Sequence, residues 1–200
     1  MTTPLKDSNG NTALHLMSIY GNTEPCGLLL HQVRERNNTG EIPLHIAAKR
    51  GHPGCVKICL NYDPTLAFEK DNNGDTALHL AAQHGNDMSA ELLTANKKTI
   101  FEKNKLGQVP LHLAVEHKQL SIVKMLLESK NEKDNNGDTP LDFLKKINKN
   151  WTRHLYMCIL AQLEKPDELE EAMAELQRWT NRVRAILVRR ELSKRGITDI

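Results

Sequence analysis

Nowhere in this 200-residue chain does an apolar run reach the ~20 residues that a membrane-spanning helix needs. The first residues, 1–7, lack the apolar core of a cleaved secretory signal. The cysteines are too few and too irregularly spaced to form a disulfide scaffold. There are four of them, Cys26, Cys55, Cys59 and Cys158. These absences predict a soluble chain in a reducing compartment, the cytoplasm.

The chain also lacks an excess of charge of either sign. Its 27 Lys and Arg residues against 25 Asp and Glu residues give a net charge of +2, so the overall field does not indicate nucleic acid as a partner. Three motifs of active sites are missing from the sequence. They are Gly-x-x-x-x-Gly-Lys, which binds phosphate, Gly-x-Ser-x-Gly and His-Glu-x-x-His. We therefore expect no enzyme, no catalytic residues and no cofactor, although a Cys/His pair that meets only in space stays open.

What the chain does have is one short register in five copies. It begins as Thr12-Ala13-Leu14-His15 and returns at 42–45, 76–79, 109–112 and 139–142, in steps of 30, 34, 33 and 30 residues. A period of this size is typical of one supersecondary unit that buries its apolar face only against its neighbours. A stack of such units presents a surface rather than a catalytic cleft.

Each copy is predicted to be a turn followed by two helices. The turn is rich in Asn, Asp and Gly, and a Thr before Ala or Pro predicts a hydroxyl N-cap for the first helix. Gly21, Gly51 and Gly85 predict where that helix ends. Lys118 takes the glycine's place in the fourth copy, which puts only that turn in question. A second apolar stretch of helical period then follows.

These residues resemble the ankyrin repeat, whose signature is a turn glycine, Thr-Pro-Leu-His, two alanines, a glycine and a second helix with Val-Leu-Leu. The copy at 74–86 matches it best. The resemblance implies a mainly α solenoid with β-hairpin finger loops and first helices that line a concave face. It implies an ankyrin repeat domain over 1–150, with repeats at about 7–36, 37–70, 71–103, 104–133 and 134–150. Members of this family bind other proteins.

Histidine and cysteine could suggest a metal site, but the pattern favours structural roles. His52, Cys55 and Cys59 could share a helical face, yet no complete four-ligand spacing exists. Cys55 and Cys59 also stand at apolar positions, where cysteine acts as a small hydrophobe. The resemblance implies that the recurring histidines bond to the local backbone and Thr hydroxyl. The Asp/Asn-rich segments 70–76 and 133–139 lack the Gly and Glu positions of a calcium loop, so we expect no metal.

By the resemblance, another protein is contacted by finger tips and concave positions. Exposed aromatic and cationic residues, here Tyr20 and Arg50, are the expected hot spots. The change from cationic Lys49 and Arg50 to acidic Asp75 and Glu116 argues against a nucleic-acid groove. The predicted partner-binding residues are Ser8, Asn9, Ile19, Tyr20, Asn38, Thr39, Lys49, Arg50, Asn72, Asn73, Asp75, Gln83, His84, Lys105, Leu106, Gln108, Glu116 and His117.

After residue 150 the register is lost, and a helical extension is predicted over 151–200, with helices at about 151–164 and 167–195. Apolar residues three and four apart give the second helix a stripe that packs internally or on a partner. Its cations form a solvated face or bind an acidic partner or an anionic membrane surface. The end, 196–200, resembles a PDZ-domain ligand. The cations are Arg178, Arg182, Arg184, Arg189, Arg190, Lys194 and Arg195.

We therefore expect a protein-protein interaction module that acts as an adaptor or scaffold. The alternative is that the repeats are an address tag and the basic amphipathic helix mediates oligomerisation, or binding to an anionic membrane or acidic partner. The richness in Asn and Lys is similar to that of small ankyrin proteins that intracellular bacteria deliver into host cells. Eukaryotic cytosolic adaptors fit equally well.

Overall fold

A computed structural model describes residues 4–24 and 26–147 of the chain. The two helices predicted within 151–200, the seven basic residues and the PDZ-like end lie outside these residues. The described part contains eight α-helices and four short 3-10 helices. The α-helices are α1 (Ala13–Tyr20), α2 (Pro43–Arg50), α3 (Pro53–Tyr62), α4 (Ala77–His84), α5 (Asp87–Thr94), α6 (Pro110–Glu116), α7 (Leu120–Met125) and α8 (Pro140–Ile147). The 3-10 helices are Cys26–Gln32, Pro64–Phe68, Lys97–Phe101 and Leu127–Ser129.

The helices pack in two rows, which confirms the mainly α repeat solenoid. The first helices α1, α2, α4, α6 and α8 each contact the next in one row. The second row is formed by the 3-10 helix Cys26–Gln32 with α3, α5 and α7. The core lies between the rows, where the leucine of each register is buried, fully in the first four copies and 7% exposed in the last. These residues are Leu14, Leu44, Leu78, Leu111 and Leu141.

The predicted glycine ends of the first helices are confirmed. Gly21, Gly51 and Gly85 have φ values of 71°, 73° and 74°, a left-handed conformation that glycine adopts without steric cost. Lys118 adopts the same conformation at φ 64°, so the fourth copy turns as the others do despite its side chain. The position within the repeat, rather than the residue type, therefore determines the left-handed conformation of this turn.

Three details differ from the prediction. The described finger loops contain no strand, because each is a tight turn that shares one backbone hydrogen bond with the next loop, as in Asn38 N–H to Asn9 O at 3.0 Å. The second apolar stretch of the first copy is a 3-10 helix rather than an α-helix. Additional 3-10 turns follow α3 and α5, where Asp63 and Asn96 side chains accept from backbone N–H groups two residues on.

Threonine contributes less to the helix starts than predicted. Thr12 and Thr76 occupy the N-cap of α1 and α4, but their hydroxyls form no hydrogen bond to the helix backbone. Ile42 and Val109 occupy the N-cap of α2 and α6 without a hydroxyl, and both helices begin at the same register position. The feature that all four helix starts share is the bond from the N-cap N–H to the register histidine, described below.

Glycines at equivalent places in the fourth and fifth fingers allow a matched stability test. Gly107 and Gly137 have φ values of 75° and 84°. A Cβ on Gly107 would lie 2.6 Å from the backbone N of Asn135, whereas a Cβ on Gly137 would meet nothing within 4 Å. We expect Gly137→Ala to lower the free energy of unfolding by about 1–2 kcal/mol from the left-handed conformation alone. Gly107→Ala should cost more, as measured by urea denaturation, and equal losses would contradict the packing of finger on finger.

Candidate functional site

Four buried histidines join each repeat to the next. In each, Nδ1 accepts a hydrogen bond from the backbone N–H at the N-cap of its own helix, at 3.1–3.3 Å. Nε2 then bonds to a backbone carbonyl of the following repeat, which makes Nε2 the donor and the imidazole neutral. The Nε2–O distances are 3.0 Å for His15 and Glu41, 3.1 Å for His45 and Asp75, 2.9 Å for His79 and Gln108, and 3.0 Å for His112 and Asp138.

The local half of this arrangement was expected and the inter-repeat half was missed. Thr12 and Thr76 hydroxyls do contact the ring of their histidine at 2.9 Å. In the fifth copy Asp142 takes the histidine's place and accepts from the N–H and hydroxyl of Thr139 at 2.9 and 2.7 Å. A carboxylate has no proton to donate to a following repeat. The fifth copy therefore keeps the hydrogen bonds at the start of its first helix but lacks the donor that the histidine provides in the other copies.

A second connection runs through the cation that precedes each finger. The side chain of each cation donates to the backbone carbonyl of the equivalent cation in the next copy. It also forms an ion pair with the glutamate that directly precedes that next cation. Exposed pairs of this kind contribute about 0–1 kcal/mol each, so they align repeats more than they stabilise them. The carbonyl distances are 2.9 Å for Lys6 and Arg36, 2.6 Å for Arg36 and Lys70, 2.9 Å for Lys70 and Lys103, and 2.9 Å for Lys103 and Lys133. The glutamates are Glu35, Glu69, Glu102 and Glu132.

The finger tips are connected in the opposite direction. Besides the shared backbone bond, a side chain of each later finger donates to a carbonyl of the finger before. Three predicted partner-binding residues, Asn38, Asn72 and Lys105, use their side chains this way, with distances of 3.0, 3.2 and 2.6 Å. They are exposed, but their polar groups already serve the stack.

Most of the predicted partner-binding residues lie at the surface. We call the surface formed by the finger tips and the last residues of the first helices the finger face. Tyr20 is 79% exposed and Leu106 is 62% exposed on it. Also exposed are Ser8, Asn9, Asn38, Thr39, Arg50, Asn72, Asn73, His84, Lys105, Glu116 and His117. Half-buried are Ile19, Lys49, Asp75 and Gln83.

Two of these residues have polar groups that are engaged within their own repeat. Gln108 is only 7% exposed, because its Oε1 accepts from Asn104 Nδ2 at 3.2 Å and its backbone is held within the finger. Lys49 forms an ion pair with Glu41 at 3.0 Å, so its charge is neutralised within the repeat. The cationic character expected at this part of the finger face therefore rests on Arg50.

Eight of the predicted residues come together in one open groove of about 420 Å³ between the third and fourth repeats. Asn104 and Leu113 complete its lining, and the prediction missed both because their positions in the repeat pattern indicated turn and core. The predicted residues on the first two repeats do not line it. The eight are Asn73, Asp75, Gln83, Lys105, Leu106, Gln108, Glu116 and His117.

Glu41 and Asp75 differ in the groups that surround their carboxylates. Burial works against the charge of Glu41, but hydrogen bonds from Lys49, Asn37 and Thr39 hold its pKa below the ordinary value. Burial raises the pKa of Asp75, and the hydrogen bond from the Asn104 amide and the charge interaction with His45 oppose that effect only in part. The groove thus contains a carboxyl group whose charge is poorly compensated.

Within the described residues, no group of three or more His, Cys, Asp and Glu side chains is arranged to hold a metal ion. The four bridging histidines have both ring nitrogens in hydrogen bonds. No helix of the described part combines the length and the apolar character needed to cross a bilayer.

Two rows of short helices, joined repeat to repeat by the same few bonds, define a helical repeat protein. Residues 14–101 match a family model of ankyrin repeats in three copies, and residues 101–144 match a model of ankyrin repeats in many copies. No curated protein matches the chain. The chain belongs to the ankyrin repeat family, whose members are generally protein-protein interaction modules and typically not enzymes.

The buried histidines predict a loss of stability in mild acid. Burial lowers the pKa of His79 from 6.5 to about 4, and it lowers those of His15, His45 and His112 as well. Between these values the unfolded chain binds more protons than the folded chain, so the free energy of unfolding falls as the pH falls below 6.5. At about 1.4 kcal/mol per pKa unit, His79 alone should cost about 2 kcal/mol by pH 5.

Urea denaturation at pH 7, 6 and 5 measures this effect. His79→Asn should be less stable at pH 7, because both ring hydrogen bonds are altered, but should lose less stability between pH 7 and pH 5. Identical pH dependence in the two proteins would show that His79 is not the group responsible.

Proposed function

We propose that this protein is an adaptor or scaffold that holds another protein against its finger face. The observation that carries this proposal is the contrast between two sets of positions. The groups that join the repeats are nearly the same in every copy, whereas the residues at the ends of the first helices vary between copies, with histidine the one type that recurs. These helix-end residues are Ile19 and Tyr20, Lys49 and Arg50, Gln83 and His84, and Glu116 and His117.

This variation is what a binding surface requires. The helix ends are positioned by a rigid scaffold, but none of the bonds described above between repeats uses their side chains. Lys49 alone forms an ion pair, with Glu41 of its own repeat. A large exposed tyrosine and a nearby exposed arginine are residue types that supply much of the binding energy in protein interfaces. Tyr20 and Arg50 are therefore the proposed anchors, with the groove between repeats three and four as a further contact.

Replacing both proposed anchors tests this function. The full-length Tyr20→Ala, Arg50→Ala variant, used as bait in cell lysate, should lose one or more proteins that the parent captures, by tenfold or more in quantitative mass spectrometry, since about 1.4 kcal/mol is tenfold in affinity. Both residues are exposed, so the far-ultraviolet circular dichroism should not change.

The control is Tyr62→Ala with Lys57→Ala, which removes an exposed tyrosine and an exposed cation from α3 in the second row. It should capture the same proteins as the parent. Equal capture by all three baits would contradict the finger face as the binding surface.

A second candidate function rests on the sequence of the extension. Seven cations between 178 and 195 follow apolar residues spaced three and four apart, a pattern that favours binding to an anionic membrane surface, an acidic partner or a second copy. In this case the repeats act as an address tag. The terminal residues 198–200 would suit a PDZ domain.

Vesicle cosedimentation tests the membrane form of this candidate. Arg182→Gln, Arg189→Gln and Arg190→Gln together should release the protein from phosphatidylserine vesicles, because each basic residue near the surface contributes about 1 kcal/mol. The matched control replaces Lys57, Lys97 and Lys98, three exposed lysines of the repeats, by Gln. Equal binding of the parent and both variants would argue against a membrane role for the extension.

We also propose a cytoplasmic location, including the cytosol of a host cell into which a bacterium delivers the protein. The richness in Asn and Lys supports delivery by a bacterium. The burial of Cys55 and Cys59 in the core supports a reducing compartment.

A further inference from the structure

Repeats two and three have a carboxylate at the same position but different partners for it. In repeat two, Glu41 accepts from Lys49 Nζ at 3.0 Å and from Thr39 Oγ1 at 2.9 Å. In repeat three, Asp75 has the Glu41 position and Gln83 has the Lys49 position. The internal cation of repeat two is thus replaced by a neutral amide.

Asp75 consequently lacks an ion pair with any described residue. Its only side-chain hydrogen bond is the one from Asn104 Nδ2 to Oδ1 at 2.9 Å. Lys105 lines the same groove but donates its ammonium to the Asn72 carbonyl at 2.6 Å. Glu116, exposed on the groove wall, also forms no ion pair with a described residue. The lining of the groove therefore contains two carboxylates and one ammonium group, and that ammonium group forms no ion pair with either carboxylate.

Apolar surface lies next to these carboxylates. Leu106 is 62% exposed at its finger tip, where the other four fingers have Asn9, Thr39, Asn73 and Asn136. Leu113, nearly buried on α6, adds apolar surface to the lining of the groove. An exposed leucine in place of a polar turn residue has no evident role within the stack, since its neighbours already make the inter-finger bonds.

The groove also offers a hydrogen-bond donor. Gln108 is more than nine-tenths buried, its Oε1 is occupied by Asn104, and its Nε2 donates to no described residue. This amide nitrogen is reached by solvent, since among the described residues only the Ser89 hydroxyl is a buried side-chain group without a partner, and it is therefore accessible to a ligand. A peptide carbonyl is the acceptor that a bound protein segment would bring.

We propose that this groove binds a segment of another protein in which a lysine or arginine lies beside a large apolar side chain. The cation pairs with Asp75 and Glu116, the apolar side chain packs on Leu106 and Leu113, and a backbone carbonyl of the segment accepts from Gln108. The inference rests on the proposed function, because it specifies the chemistry of the partner on the finger face. Partial burial of Asp75 strengthens its pairing with a cation relative to an ion pair in water.

Selection from a displayed library of random short peptides tests the partner chemistry directly. The full-length protein should enrich sequences that combine Lys or Arg with Leu, Ile, Phe or Trp within a few residues. The most enriched peptide, synthesised with a fluorophore, should then bind about tenfold or more weakly to the Asp75→Asn, Glu116→Gln variant in fluorescence anisotropy. Leu106→Asn, which installs the residue of neighbouring finger tips, should also weaken it.

The matched control is Asp87→Asn with Glu91→Gln, which removes two exposed carboxylates from α5 and changes the net charge equally. It should bind the peptide as the parent does. Enrichment of acidic or uncharged peptides, no enrichment at all, or equal weakening by both double variants would overturn the inference.

The lysate experiment separates this failure from failure of the proposed function. If capture depends on Tyr20 and Arg50 while Asp75→Asn with Glu116→Gln has no effect, the groove inference is wrong and the adaptor function stands. If no protein is captured through the finger face by any bait, the function itself fails.

Discussion

The neutral imidazole between repeats is the interaction on which the rest of the structure depends. Its Nδ1 accepts from the backbone N–H at the N-cap of its own helix. Its Nε2 donates to the backbone carbonyl just before the first helix of the next repeat. One ring therefore sets the start of two helices relative to each other, with its protonation state determined by both bonds. The distance from Nε2 to the carbonyl oxygen is nearly the same in every copy. Successive leucines therefore lie in the core, and successive fingers contact each other.

The scaffold separates positions that hold the stack from positions that contact partners. Buried leucines and alanines supply most of the stability through apolar burial, and the histidine, cation and finger bonds add alignment. Since these groups satisfy one another, the finger face is left to vary, and it does so from Tyr20 and Arg50 to Asp75 and Glu116. The same separation explains why the groove has unbalanced charge: nothing in the stack requires Asp75 to be paired.

The sequence predicted what depends on local signals and missed what depends on neighbours about 30 residues away. The first helices and their ends follow from the register and from glycines such as Gly51, which need no knowledge of the next repeat. The carbonyl acceptors of the histidines lie 26–30 residues further along the chain, in the next repeat. The Lys49–Glu41 ion pair and the burial of Gln108 lie within single repeats, but they depend on how each finger folds against its own helix. The 3-10 form of Cys26–Gln32 also lacked a signal, since its apolar residues suit either helix type.

The inter-repeat bonds recur at equivalent positions of successive copies: the histidine rings and the cations donate to the following repeat, and the fingers donate to the preceding one. If residues 71–103 were removed from the gene, Arg36 would keep Glu69 and the Lys70 carbonyl, and His45 would meet the Gln108 carbonyl, with no new type of contact. Duplication of a period would preserve the junctions equally well. Unequal recombination therefore changes the length of this protein in whole repeats and, in the same event, brings a different set of side chains onto its binding surface.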